Sequence, residues 1–358
     1  MPILTLYNHK GGVSKTTTTF NLAHLLVKSG KRVLLVDADS QCNLTELCLG
    51  KLIADLDIEA EKTGIVKELP GTSILDALRP RIEGEVSSIN IDSIKFVNLV
   101  KGLDLIRGSV DLTSIEDDIS EAHAQRFAAR TNLMRTYVAI GDMLERLSKV
   151  HSYDYVFIDL GPSAGALTRS FFLACDAFFV PVAPDRFNVQ AIRTLSTIVG
   201  RWIDEHAQIR ATYESYSLPV RHGQPIFLGA ISQFFKVYKG KPKAGFELWM
   251  KRIPEQISNF LVPVLLKNST KERNLCPISI DAYIATQIPD FGTLAPLMQE
   301  VGKPVFGIQQ EDTKSITESG VAWAGGTWID AESRMNTFKS KFQELINRLD
   351  ILEKNNGS

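Results

Sequence analysis

The chain has 358 residues, 44% hydrophobic and 23% charged, which places it among globular proteins able to bury a large core and excludes a fibrous, low-complexity or disordered chain. Forty basic against forty-one acidic side chains leave a formal charge of -1, so a uniformly basic nucleic-acid binder is excluded and any such contact must come from local clustering. Four cysteines, Cys42, Cys48, Cys175 and Cys276, lack C-x-x-C spacing and fit a reducing cytosol. No secretory pattern follows Met1, and no apolar run approaches the roughly 20 residues that span a bilayer, so a soluble cytoplasmic protein is expected.

In chain order, Ile3 to Tyr7 is a β-rich apolar run, Asn8 to Ser14 a glycine-containing loop, and Thr16 to Lys28 a helix-like segment. Val33-Leu34-Leu35-Val36 is a continuous apolar run ending in Asp37-Ala38-Asp39, as expected of a buried parallel strand whose C-terminal end carries function. A polar, acidic stretch between about Gly50 and Pro70 reads as a surface excursion with a short helix, and is expected to be an insertion. A helix candidate follows Ser73, then a third strand at Leu103 to Ile106 and a long helix from about Asn132 to Lys149. Tyr155 to Asp159 is a fourth strand ending in a carboxylate, Ala177 to Pro181 a fifth, with a helix starting near Ser163 between them. Val189 to His206 is helical, Gln208 to Gly223 a second polar excursion, Ile226 to Ser232 a strand and Tyr283 to Ile288 the last one. Near 330–354, Phe338, Phe342, Leu345, Ile346 and Leu349 form an apolar stripe at helical spacing. The alternation of β and α predicts a doubly wound, mostly parallel sheet with helices on both faces, in one domain spanning 1–358 with insertions near 50–70 and 208–223.

The segment Lys10-Gly11-Gly12-Val13-Ser14-Lys15-Thr16-Thr17 lies between a strand and a helix, where successive backbone N–H groups and a helix N-terminus can surround phosphate oxygens. In such a loop Lys15 pairs with the β- and γ-phosphates and Thr16 presents its hydroxyl to Mg²⁺. Any one of the strand-ending aspartates Asp37, Asp39 and Asp159 is by itself a common cap or turn residue. Three of them beside a phosphate loop point to Mg²⁺ and water positioning.

The loop resembles the deviant Walker A sequence of the ParA/MinD family of P-loop ATPases, marked by an extra lysine at its start, here Lys10. The resemblance continues through Val33 to Thr45 (VLLVDADSQCNLT against VLLVDxDPQGN), the Walker B strand Tyr155 to Asp159, and Val180-Pro181-Val182 with the helix after it. It resumes in Gln287-Ile288-Pro289-Asp290 and runs up to Pro304-Val305. What it implies is an ATPase that needs ATP and Mg²⁺ and works as a dimerisation switch. Two nucleotides are sandwiched between two copies, and Lys10 reaches the phosphates held by the other copy. Lys15 holds the phosphates, Asp39 positions the hydrolytic water, and Asp37 and Asp159 hold Mg²⁺ through its water shell together with Thr16. Gly11, Gly12, Val13, Ser14 and Thr17 complete the phosphate cradle, and Gln233, Pro289 and Asp290 fall where the family lines its base pocket.

Two positions depart from the family pattern. Ser14 replaces the glycine before the loop lysine, at a cost of about 1 kcal/mol if the backbone there needs positive φ, with slower hydrolysis as the consequence. Gly161 stands where the family often has proline, in Asp159-Leu160-Gly161-Pro162, which implies a more flexible segment.

The resemblance further implies DNA binding without sequence preference by the ATP dimer, association with the nucleoid, and a ParB-like activating partner. The candidate footprint is Lys236, Lys239, Lys241, Lys243, Lys251 and Arg252, with Phe234, Phe235 and Tyr238 nearby. The rivals are a MinD-like membrane-cycling ATPase anchored by the C-terminal stripe, and an ATP-dependent ligase or amidotransferase on the same fold. The stripe reads better as a helix packed on the core, because its polar face mixes Lys339, Lys341 and Arg348 with Glu344, Asp350 and Glu353. A metal-cluster carrier would need paired cysteines, which are absent. With its first strand at Ile3, the chain is also expected to lack an N-terminal DNA-reading domain.

Overall fold

The computed structural model describes residues 1–238 and 241–355. Its first half comprises β1 (Ile3–Leu6), α1 (Lys15–Lys28), β2 (Val33–Ala38), α2 (Asn43–Thr63), α3 (Ile74–Ile82), β3 (Val97–Val100), β4 (Leu103–Ile106), α4 (Glu116–Ala124), α5 (Thr131–His151) and β5 (Tyr155–Leu160). The second half adds α6 (Ala166–Ala174), β6 (Ala177–Val182), α7 (Arg186–Ser215), β7 (Ile226–Phe235), β8 (Val237–Tyr238), β9 (Lys241–Pro242), α8 (Ala244–Met250), α9 (Arg252–Gln256), α10 (Val262–Lys267), β10 (Ile284–Pro289), α11 (Leu294–Val301) and α12 (Gly325–Asn355).

Eight strands form one sheet in the order β10-β7-β6-β1-β5-β2-β4-β3, parallel throughout except for the edge pair β3 and β4. This is the expected doubly wound arrangement, and its continuous apolar strands follow from being covered on both faces. Alternate residues feed opposite layers: Leu34, Val36, Val156 and Ile158 pack with α3, α5 and α6, whereas Val33, Leu35, Tyr155 and Phe157 pack with α1 and α12. Helix starts obey local chemistry where the sequence supplies it, as at Ser73, whose side chain accepts from the Asp76 N–H while Asp76 reaches back to the Ser73 N–H.

Helix α4, the β8–β9 pair and helices α8 to α11 were not anticipated, and three further differences have a plain physical reason. The edge strand β3 was not anticipated, because only alternate residues of Val97–Val100 are even half-buried and its apolar signal is correspondingly weak. The acidic stretch after Gly50 is mostly the continuation of a 21-residue helix, α2, anchored through Leu44, Leu47 and Leu49 and stopped by Gly64 at φ 70°. The second excursion begins as helix, since α7 runs to Ser215 with Ile209 and Tyr213 buried against Met134 and Tyr137.

The C-terminal stripe is part of the core: Phe338, Phe342, Leu345 and Leu349 are buried, and Phe338 stacks on Phe291 with ring centroids 4.4 Å apart. A face already covered by protein does not favour the membrane-anchor rival. Among the described residues no helix is long and apolar enough to cross a membrane. Replacing Phe342, fully buried between α12 and the sheet, with alanine is expected to lower stability by roughly 3–5 kcal/mol in urea unfolding. A loss under about 1 kcal/mol would mean that α12 is not integral to the core.

Candidate nucleotide site

The site is built at the C-terminal ends of β1, β2 and β5, where loops leave a parallel sheet and helix N-termini point back at it. Strand β1 runs into the loop 8–14, which turns into α1 at Lys15. Gly12 has φ 69° and Ser14 φ 54°, ψ 34°, so the condition attached to the serine is met: a residue with a Cβ occupies the left-handed region at the helix N-cap. Asn8, which sequence reading left without a role, braces the turn by donating to the Pro181 carbonyl at 2.8 Å and accepting the Lys10 N–H at 3.0 Å.

Lys15 is 7% exposed, and its Nζ donates to the carbonyls of Asn8 and Lys10, each at 3.3 Å. Burial pulls its pKa below the ordinary lysine value, against the opposing pull of Asp159 and Asp39. Lys10, in contrast, is exposed, although only five positions separate the two lysines.

The carboxylates face this loop. Asp37 and Asp159 are register partners on adjacent parallel strands, and both are buried. Asp37 Oδ2 accepts the Thr45 hydroxyl at 2.6 Å and the Thr45 N–H at 2.8 Å. The same hydroxyl accepts the Gly108 N–H at 2.7 Å, tying β2, α2 and the loop after β4 together. Asp159 Oδ2 accepts the Thr16 hydroxyl at 2.7 Å, while its Oδ1 is buried without a partner. Asp39 is buried and accepts the Gln41 N–H at 3.1 Å.

Burial, with the neighbouring Asp37 charge adding to it, pushes the Asp159 pKa up to about 8. Burial pushes Asp37 up to about 6 against the Thr45 hydrogen bonds. Two adjacent carboxylates held this close to protonation, one with an orphaned oxygen, fit a hard divalent cation that takes one or two carboxylates and keeps its waters. Among the described residues, no group of three or more His, Cys, Asp or Glu side chains could hold a metal ion.

Two glycines make room for these acids. A Cβ on Gly108 would lie 2.9 Å from Asp37 Oδ2, and one on Gly161 would lie 2.8 Å from Asp39 Oδ1. The glycine at 161, read from sequence as a source of flexibility, therefore has a steric reason. Gly108 carried no sequence signal, because its partner Thr45 is 63 positions away.

The remaining predicted residues fall at the same end of the sheet. Gln233, 1% exposed, bonds to the phosphate loop, and Ile288 and Pro289 run alongside Gln233 and Phe235. Asp290 is half-buried and accepts the Gly292 N–H. Of the basic set, Lys236, Lys241, Lys243, Lys251 and Arg252 are exposed around the β8–β9 hairpin and the start of α9, and Lys239 lies outside the described residues. Lys251 pairs with Glu247 at 2.9 Å and Arg252 stacks over Trp249; of the nearby aromatics, Phe234 and Tyr238 are exposed and Phe235 is buried.

A family model described as an AAA domain matches residues 1–210. The chromosome partitioning protein ParA of Caulobacter vibrioides is 31% identical over 199 residues, which cover 56% of this chain and 62% of that protein. A ParA family protein of Chlamydia trachomatis is 28% identical over 262 residues, covering 72% of this chain and 82% of that one. The chain belongs to the ParA/MinD family of P-loop ATPases. The fold agrees: protein DIP2308 from Corynebacterium diphtheriae superposes with a TM-score of 0.62 at 25% identity, covering 81% of this chain and 93% of that one. Against the family motif, Cys42 as well as Ser14 stands at a glycine position, and it too keeps the left-handed conformation, with φ 52°.

The raised carboxylate values make a pH-dependent contribution of definite sign. At Asp159 the folded chain holds a proton that the unfolded chain releases, so this group's contribution to stability falls as pH rises from the usual 3.8 of an aspartate toward about 8. In EDTA, Asp159→Asn is expected to melt above the parent protein at pH 8, with the gap closing toward pH 5. An equal gap at both pH values would contradict the buried charge.

Proposed function

We propose that this ParA/MinD-family chain binds and hydrolyses ATP with Mg²⁺ and uses the cycle as a dimerisation switch that binds DNA without sequence preference while the triphosphate is intact. The observation that carries the reading is the pairing of buried Asp37 and Asp159 opposite buried Lys15 and half-buried Thr16, with Lys10 left in solvent. Gly11, Gly12, Val13, Ser14 and Thr17 would cradle the phosphates through backbone N–H groups, and Lys15 would neutralise the β- and γ-phosphates. Thr16, Asp37 and Asp159 would hold Mg²⁺, whose chemistry is to neutralise charge developing on the phosphate oxygens. Asp39, shaped by the space at Gly161, would orient the attacking water. Pro289 and Asp290 would border the base.

Lys10, whose side chain is exposed, would reach the phosphates held by another copy. Large apolar side chains are exposed at the same edge of the sheet, Val110 after β4, Phe187 at the start of α7 and Phe234 on β7. They suit a surface that a second copy covers. The repulsion between two sets of phosphates across such a surface would be relieved by the lysines supplied in trans, so pairing would require ATP and end with its cleavage. The exposed basic hairpin, doubled in the pair, is the surface offered to DNA. Neutralising about six phosphates would give a salt slope of about -5. A ParB-like partner would speed the cycle, and DNA binding would place the protein on the nucleoid.

Lys10→Ala is expected to keep ATP affinity within about threefold, under 1 kcal/mol, while losing ATP-dependent DNA retention and most turnover. Undiminished retention and turnover would remove the switch and leave a generic ATP-binding fold. Charge reversal at Lys241 and Lys243 should weaken DNA retention without changing ATP affinity, as read by co-sedimentation at two salt concentrations. Unchanged retention would show that the hairpin is not the footprint.

A further inference from the structure

Gln233 is buried beside the phosphate loop, and both ends of its amide are engaged there. Its Nε2 donates to the Val13 carbonyl at 2.6 Å, and its Oε1 accepts the Thr18 hydroxyl at 2.9 Å. Val13 precedes Ser14, the residue held at φ 54°, and the Thr18 N–H closes the first turn of α1 on the Ser14 carbonyl at 3.0 Å. One side chain thus grips the peptide before the strained residue and the helical turn after it. Gln233 comes from β7, separated from β1 by β6, so the grip ties the loop to a distant part of the sheet.

The strand is shaped to deliver that amide. Phe234, the next residue, takes φ 66° and is 53% exposed, and the register between β7 and β10 shifts opposite it. Phe235 is buried again, so the irregularity turns a large apolar side chain outward while Gln233 stays inside. A bulky residue with positive φ is uncommon, and its presence next to Gln233 indicates that the aim of the glutamine is constrained.

We infer that Gln233 is a positioning residue that clamps the phosphate loop and holds Ser14 in its left-handed conformation, rather than a reader of the nucleotide base. A glycine before the loop lysine would adopt that conformation without a steric penalty, whereas serine needs it imposed. The inference rests on the reading of this loop as a phosphate cradle, but the clamp itself exists without nucleotide and can be tested without it.

Hydrogen exchange on the nucleotide-free protein is the primary test. Gln233→Leu should speed exchange several-fold in peptides covering residues 11–18, and Thr18→Val, which removes one of the two bonds in a milder way, should do the same to a smaller degree. In the Ser14→Gly background Gln233→Leu should have less effect, because the loop no longer needs the restraint. Binding is the second readout: Gln233→Leu should weaken ATP and GTP together by about tenfold, leaving their ratio unchanged, as loss of buried hydrogen bonds at the loop requires. Unchanged exchange in both variants, or a loss confined to adenine nucleotides, would overturn the clamp. A parent protein that binds no nucleotide, while its loop exchange still responds to Gln233→Leu, would leave the clamp standing and remove the ATP reading instead.

Discussion

Two carboxylates, Asp37 and Asp159, are forced side by side in a buried place by the register of β2 against β5, with one buried ammonium, Lys15, on the loop before them. An uncompensated excess of negative charge in such a setting is costly, and the protein meets it by holding the acids near protonation and surrounding them with hydroxyls and N–H groups. The surroundings are consistent with this constraint. Thr45 and Gly108 lock one carboxylate, Thr16 touches the other, and glycines at 108 and 161 leave the space that any side chain would take. Such a concentration of buried carboxylate is one that a cation can stabilise strongly.

The same edge of the sheet concentrates backbone strain. Ser14 begins α1, Cys42 begins α2 and Phe234 interrupts β7, all with positive φ and all carrying side chains. Strain of this kind persists only where surrounding bonds over-determine the conformation. At Ser14 the restraining bonds are identifiable, and they come from opposite directions: Asn8 and Lys15 within the loop, Gln233 from across the sheet. The conformation of this loop therefore owes as much to β7 as to β1.

Much of the fold was legible because the parallel strands are buried on both faces and write themselves as continuous apolar runs. Strands β1, β2, β4, β5 and β6 fall within a residue or so of where those runs lie. The half-exposed edge strand β3 and the solvent-facing length of α2 lack that pattern, and sequence reading passed over the first and shortened the second. At the site, the loop and the strand-ending acids were legible because their spacing to one another is local. Thr45, Gly108 and the grip of Gln233 on Val13 were not, since each depends on segments brought together only by folding. The cost attached to Ser14 was foreseeable from the residue type; what restrains it was not.

Family membership, the paired buried carboxylates facing the loop after β1, and the exposed lysine in that loop support the proposal of a protein whose association state reads its nucleotide state. Light scattering on Asp39→Ala, a change intended to bind ATP without cleaving it, tests that most directly. The account predicts twice the mass in ATP and Mg²⁺ that is found in ADP, and the same mass in both nucleotides would contradict it.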